Sequence, residues 1–94
     1  MTLNDVLILC AGRLSPADAL SMELECLHIT EDSRKVVKGS LFVAIKGDHV
    51  DGNAFIPQAR SQGAVAFITE NESAEPNDLP RVIVAHARKA LGLI

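Results

Sequence analysis

A chain of 94 residues, 48% apolar and 22% charged, makes one domain with room for a core but a narrow stability margin. A net charge of −3 and three aromatics, Phe42, Phe55 and Phe67, all in apolar context, provide neither the basic footprint nor the stacking platform of a nucleic-acid binder. No apolar run approaches the roughly 20 residues that cross a bilayer, and MTLNDVLILCAG lacks the basic start of a secretory signal, so a cytoplasmic protein without membrane contact is expected.

Thr2 can cap a first helix, in which Leu3, Val6, Leu7 and Cys10 recur at helical spacing and Gly12 offers a stop. Residues 13–22, with Pro16 among them, read as irregular, and residues 25–30 as a short, weakly alternating strand. Residues 32–38 read as a loop and Gly39-Ser40 as a turn. Three short runs follow, at 41–45 (LFVAI), 64–68 (AVAFI) and 82–85 (VIVA). Each is apolar on both faces, as strands are when a sheet is covered on both sides. Between the first two, Asn53 reads as a helix cap and Phe55, Ile56 and Ala59 as one apolar face. Pro57 falls in the first turn, where a missing N–H matters least, and Gly63 closes the helix. Strand, helix and strand in that order predict a right-handed crossover. Residues 70–78 (ENESAEPND) carry four acids and no base and read as a solvated connection. HARKALGLI starts a last helix with Ala87, Leu91 and Ile94 inward; its pattern is still open at Ile94, so a continuation is expected in the full-length form. The fold class is therefore α/β, with a small mixed, mostly parallel sheet flanked by helices.

Cys10 and Cys26 lie far apart in apolar stretches and read as buried free thiols. His28, His49 and His86 are scattered, without the clustering a metal site needs. Chemistry concentrates around the 41–45 strand. Asp32-Ser33-Arg34 precedes it, and Gly47-Asp48-His49-Val50-Asp51-Gly52 follows it. Two glycines five apart permit a tight turn, whose N–H groups can hold an anion. The Ser33 hydroxyl both donates and accepts. Arg34, Lys35, Lys38 and Lys46, four of the nine basic residues, give a local positive field. These parts suit a phosphate- or diphosphate-bearing ligand. Asp-Ser and Asp-Gly are also common turn pairs and loop cations are commonly just solvated, so the residues alone leave both readings open. The chain has neither G-x-x-x-x-G-K-[ST] nor G-x-G-x-x-G, so ATP hydrolysis by those routes is not expected. Ser33 and His49 have no third group to orient them, and no catalytic pair is assigned.

The stretch ITEDSRKVVKGSLFVAIKGDHVDGNAFIPQARSQGAVAFI, residues 29–68, resembles the N-terminal domain of the Mur ligases, ATP-dependent enzymes that add amino acids to the UDP-N-acetylmuramoyl-peptide (UDP-MurNAc-peptide) precursor of bacterial peptidoglycan. The family pattern is a D-S/T-R triplet, a G-x-L-F-V-A strand, a G-x-x-x-D-G turn and a helix ending in G-A. Here these are Asp32 to Arg34, Gly39 to Ala44, Gly47 to Gly52, and Gly63-Ala64. TLNDVL and RVIVAHARKALGLI fit the same domain at its two ends. The resemblance implies that residues 1–94 are a single substrate-binding domain, with the central ATPase and C-terminal domains absent. It implies that Ser33 contacts the UDP-sugar and that Asp48, His49 and Val50 form the turn that meets the nucleotide. Glu31 stands at a further contact position, where some relatives carry an apolar residue. Asp32, Arg34, Gly47, Asp51 and Gly52 would support these loops, and the basic residues would flank the UDP group. No cofactor is implied for this chain; ATP and Mg2+ are implied for the full-length ligase, and the remaining ligase domains are its implied partners. VDGNAFIPQARSQGAVAFI reads most like the member adding the third residue, diaminopimelate or lysine; TLNDVL, AGRL and ARKALG read somewhat like the member adding D-alanyl-D-alanine. The alternative is a non-catalytic interaction module that keeps the fold without the ligand.

Overall fold

The computed structural model describes residues 1–15, 20–74 and 78–94, so Pro16 and part of the acidic connection lie outside the described residues. Its first helix, α1 (Leu3–Cys10), forms as the spacing predicts. The Thr2 side chain accepts from the Asp5 N–H and the Asp5 carboxylate accepts from the Thr2 N–H, a reciprocal cap on the first turn. The stop lies one residue earlier than expected: Ala11, not Gly12, takes the left-handed conformation, at φ 53°. Gly12 serves packing instead. A Cβ there would stand 2.3 Å from Val82 Cγ1, so the bare backbone lets the helix end lie close on the sheet.

Five strands form one sheet: β1 (Arg13–Ser15), β2 (His28–Thr30), β3 (Ser40–Val43), β4 (Ala66–Thr69) and β5 (Arg81–Ile83), in the order β1-β5-β4-β3-β2. β2, β3, β4 and β5 run parallel, and β1 pairs antiparallel to β5 with Leu14 opposite Val82. The sheet is mixed and mostly parallel, as expected, and the three apolar runs are its central strands. The first expected strand shortens to its last three residues. β1 replaces part of the stretch read as irregular. Its three residues, Arg-Leu-Ser, bury only the middle side chain, too short a pattern to carry a period.

Alternation across the strands sends side chains to both faces. Leu41 and Val43 of β3, with Ala66 and Ile68 of β4, pack against Leu3 and Val6 of α1 and against Ala87 and Ala90 of α3 (Ala87–Leu93). Phe42 and Phe67 point the other way, onto Ile56 and Ala59 of α2 (Ile56–Ser61). Fully burying each large apolar side chain is worth roughly 1.5–3 kcal/mol, so both layers contribute. Cys10 and Cys26 are buried free thiols, and desolvation raises the pKa of both.

Two entries into helices differ from expectation. Asn53 does not cap α2. The Asp51 side chain accepts from the Asn53 N–H at 2.9 Å and starts a 3-10 turn, Gly52–Phe55, that feeds α2. Three residues per turn shift the phase. Phe55, expected on the buried face, is therefore 38% exposed, whereas Ile56 and Ala59 are buried. At α3, the Glu70 carboxylate from the end of β4 accepts from the Ala87 N–H at 2.8 Å. The connection after β4 is also less solvated than its composition suggests: Ala74 is buried, and the buried Arg81 donates through Nη1 to the carbonyls of Glu72 (2.7 Å) and Ala74 (2.6 Å). Its guanidinium lies over the Phe67 ring, 5.5 Å from the centroid.

Candidate functional site

The four parallel strands end on one edge of the sheet, the edge where open α/β sheets commonly hold ligands. A cleft of about 700 Å³ opens there. It is lined by the segment after β2 (Glu31, Asp32, Ser33, Arg34), the turn after β3 (Ile45, Gly47, Val50, Gly52), Phe55 and Gln58 beside it, and Arg88 of α3.

Each loop is built by its own residues. Asp32 adopts extended backbone, φ −101° and ψ 111°, and its side chain accepts from the Arg34 N–H at 2.9 Å, opening a 3-10 turn at Ser33–Lys35. Asp51 repeats the device with φ −98° and ψ 113°. Both carboxyl pKa values are lowered, Asp32 to about 2, chiefly by the Arg34 side chain, and Asp51 by hydrogen bonds from Asn53. In the turn after β3, the Gly47 N–H donates to the Val50 carbonyl and the Gly52 N–H donates to the Ile45 carbonyl, each at 2.8 Å. The two glycine amides are thus committed to the turn, and any anion contact from the loop's main chain falls to the 48–50 tip. A Cβ on Gly52 would sit 2.7 Å from the Ile45 nitrogen and 2.8 Å from its oxygen, so this position excludes a side chain.

Ser33 is buried at the cleft wall. Its hydroxyl is 3.5 Å from Gln58 Oε1, a long contact that leaves the hydroxyl available, while Gln62 Nε2 fixes the Ser33 carbonyl at 2.7 Å. Of the residues singled out from sequence, the cleft gathers Glu31, Asp32, Ser33, Arg34, Gly47, Val50 and Gly52. Asp48 and His49 are exposed at the tip of the turn without lining it, and Asp51 faces a neighbouring depression with Lys46, Asn53 and Glu70.

The expected positive field is rearranged. Arg34 forms a two-pronged pair with Asp32, Nε to Oδ1 at 3.0 Å and Nη2 to Oδ2 at 2.9 Å. Lys35 and Lys46 border other depressions, and Lys38 precedes the start of β3, at the far end of the sheet. Sequence reasoning missed Ile45, Phe55, Gln58 and Arg88 as cleft residues. Phe55 and Gln58, three apart beside the turn, carried a faint helical signal; Arg88 carried none, because only the strand order brings α3 to this edge.

The chain matches a family model described as "Mur ligase family, catalytic domain" over residues 26–94. It is 39% identical over 79 residues to the UDP-N-acetylmuramoyl-L-alanyl-D-glutamate–2,6-diaminopimelate ligase of Bacillus licheniformis, covering 84% of this chain and 16% of that protein. It is 36% identical over 70 residues to the UDP-N-acetylmuramoyl-tripeptide–D-alanyl-D-alanine ligase of Synechocystis, covering 74% and 15%. Among solved structures, MurF from Acinetobacter baumannii superposes with a TM-score of 0.83 at 26% identity, over 98% of this chain and 19% of that one. MurF from Thermotoga maritima, in complex with ADP, superposes with a TM-score of 0.58 at 30% identity, over 71% and 15%. The chain thus spans about a sixth of the length of the curated relatives it matches.

Proposed function

The chain belongs to the Mur ligase family, and from that premise we propose that it holds the uridine-nucleotide end of a UDP-MurNAc-peptide for a cytoplasmic, ATP-dependent ligase of peptidoglycan precursor synthesis. One observation carries the reading: the cleft brings Ser33, with its lightly engaged hydroxyl, against the turn after β3, two loops that are separate in sequence. A nucleotide there meets a hydroxyl on one wall, Gly47 and Val50 of the turn after β3 on another, with Asp48 and His49 at the rim, and the exposed Phe55 ring as apolar surface. Relatives of the diaminopimelate-adding type recur in the sequence matches and MurF in the structural ones. The reading favours the diaminopimelate-adding type, with the D-alanyl-D-alanine-adding type second. ATP and Mg2+ are assigned to ligase segments outside these residues. The chain has no phosphate loop, and the described residues contain no group of three His, Cys, Asp or Glu side chains suited to a metal, so no step is routed through either.

Titration with UDP, followed by amide NMR, tests this. Shifts are expected at Ser33 and residues 48–50. Ser33→Ala is expected to weaken binding roughly ten- to hundredfold if the hydroxyl meets an ionised oxygen. Shifts confined to residues 70–74, or a Ser33→Ala titration identical to the parent's, overturn the site. A second reading, an interaction module that keeps the fold without the nucleotide, draws on Glu31 in the cleft and on the Arg34 charge held by Asp32. The absence of any UDP-induced shift selects it.

A further inference from the structure

The charges that line the cleft are Glu31, Asp32, Arg34 and Arg88. Asp32 and Arg34 engage one another through both guanidinium prongs, and Arg34 is additionally tied to that pair through its own main-chain N–H. A ligand phosphate reaching Arg34 must compete with a carboxylate whose pKa is held down to about 2. Arg88 is different. Among the described residues its side chain has no ion-pair or hydrogen-bond partner. Its helix is nevertheless fixed: Ala87 is buried in the core, and its N–H is held by the Glu70 carboxylate at 2.8 Å. The side chain is thus uncommitted, while its point of attachment is rigid. Glu31 lines the same cleft, whose four charges sum to zero, so the cleft draws a polyanion chiefly through the cation that has no carboxylate partner.

We propose that Arg88, not the Arg34 of the Asp-Ser-Arg triplet, is the residue that engages the diphosphate of the bound nucleotide, through the paired N–H donors that suit phosphate oxygens. Arg34 then serves to shape the Ser33 loop. This rests on the uridine-nucleotide reading and adds a specificity residue to it: Arg88 would discriminate nucleoside diphosphates from nucleosides.

The test compares UDP with uridine on the 94-residue chain and its variants by calorimetry and amide NMR. Arg88→Ala is expected to weaken UDP binding roughly ten- to hundredfold and to leave uridine binding within about twofold, with the steep salt dependence of UDP binding flattened. Arg88→Lys recovers part of the loss, since it restores the charge without the fork. Lys38→Ala, at the far end of the sheet, leaves both ligands unchanged. Equal weakening of UDP and uridine by Arg88→Ala marks a merely structural role and overturns the proposal, as does an unchanged UDP affinity. In both cases UDP still binds the unsubstituted chain, so the nucleotide reading survives. If UDP binds the unsubstituted chain nowhere, both fall.

Discussion

At Gly52 a single hydrogen atom decides the shape of the turn after β3. The Ile45 backbone comes so close that a methyl group must displace main chain rather than a flexible side chain. Gly52→Ala is therefore expected to lower stability by about 1–3 kcal/mol, the range for overpacking, with a reduced urea midpoint. It should also weaken UDP binding, because Val50 and Gly47 move with the turn. Asp32 sets a pH dependence whose sign follows from its lowered pKa. The folded value is about 2 against an ordinary 3.8, so its contribution is fully present above the ordinary value and is lost as pH falls from about 4 through 2. In Asp32→Asn, acid unfolding between those values should flatten relative to the parent; an unchanged acid limb refutes the assignment. The Asp-Ser-Arg triplet was legible as a site because its residue types are few and adjacent. That Arg34 is spoken for by its neighbour two positions earlier was not, since the same three letters suit a ligand-facing arginine equally well.

Among the elements, β3 and β4 were legible because both of their faces are covered, which leaves no polar position in the run. β1 was not, because an edge strand of three residues has one inward side chain and no repeat. α2 was found, but its entry through a 3-10 turn shifted Phe55 from core to cleft wall. α3 depends on a residue outside itself: its first amide is held by Glu70, sixteen positions upstream of His86, the residue that precedes the helix. Glu70→Ala is expected to cost on the order of 1 kcal/mol, as loss of a helix cap does. It should also raise amide exchange at residues 87–89. Unaltered exchange there would show that core packing alone fixes the helix. The connection after β4 is held by Arg81. Arg81→Met, which keeps much of the bulk, leaves the carbonyls of Glu72 and Ala74 without this donor, at roughly 1–3 kcal/mol for a buried group so abandoned.

Across the whole molecule, the cleft is a product of strand order rather than of any one motif. Residues 31–34 and 45–52 border it because β2 and β3 are neighbours ending on the same edge, and Arg88 borders it because β5 ends there too. No local pattern in the sequence carries that order, which is why four of the eleven lining residues, Arg88 above all, were invisible before the fold. The same order has a consequence for biosynthesis. β1 is made before β2, β3 and β4, and its partner β5 after them; the Met1 amine meanwhile pairs with Glu25, and α1 packs on the same core as α3. A nascent chain stopped before Arg81 therefore has its opening strand without a partner and α1 against a half-covered sheet, and it is expected to unfold without a cooperative transition. Adding residues 81–94 should restore one. Until β5 and α3 are made, β1 has no strand to pair with and α1 lies on an incompletely covered sheet, so over that interval a chaperone or protease meets apolar surface that the finished fold covers.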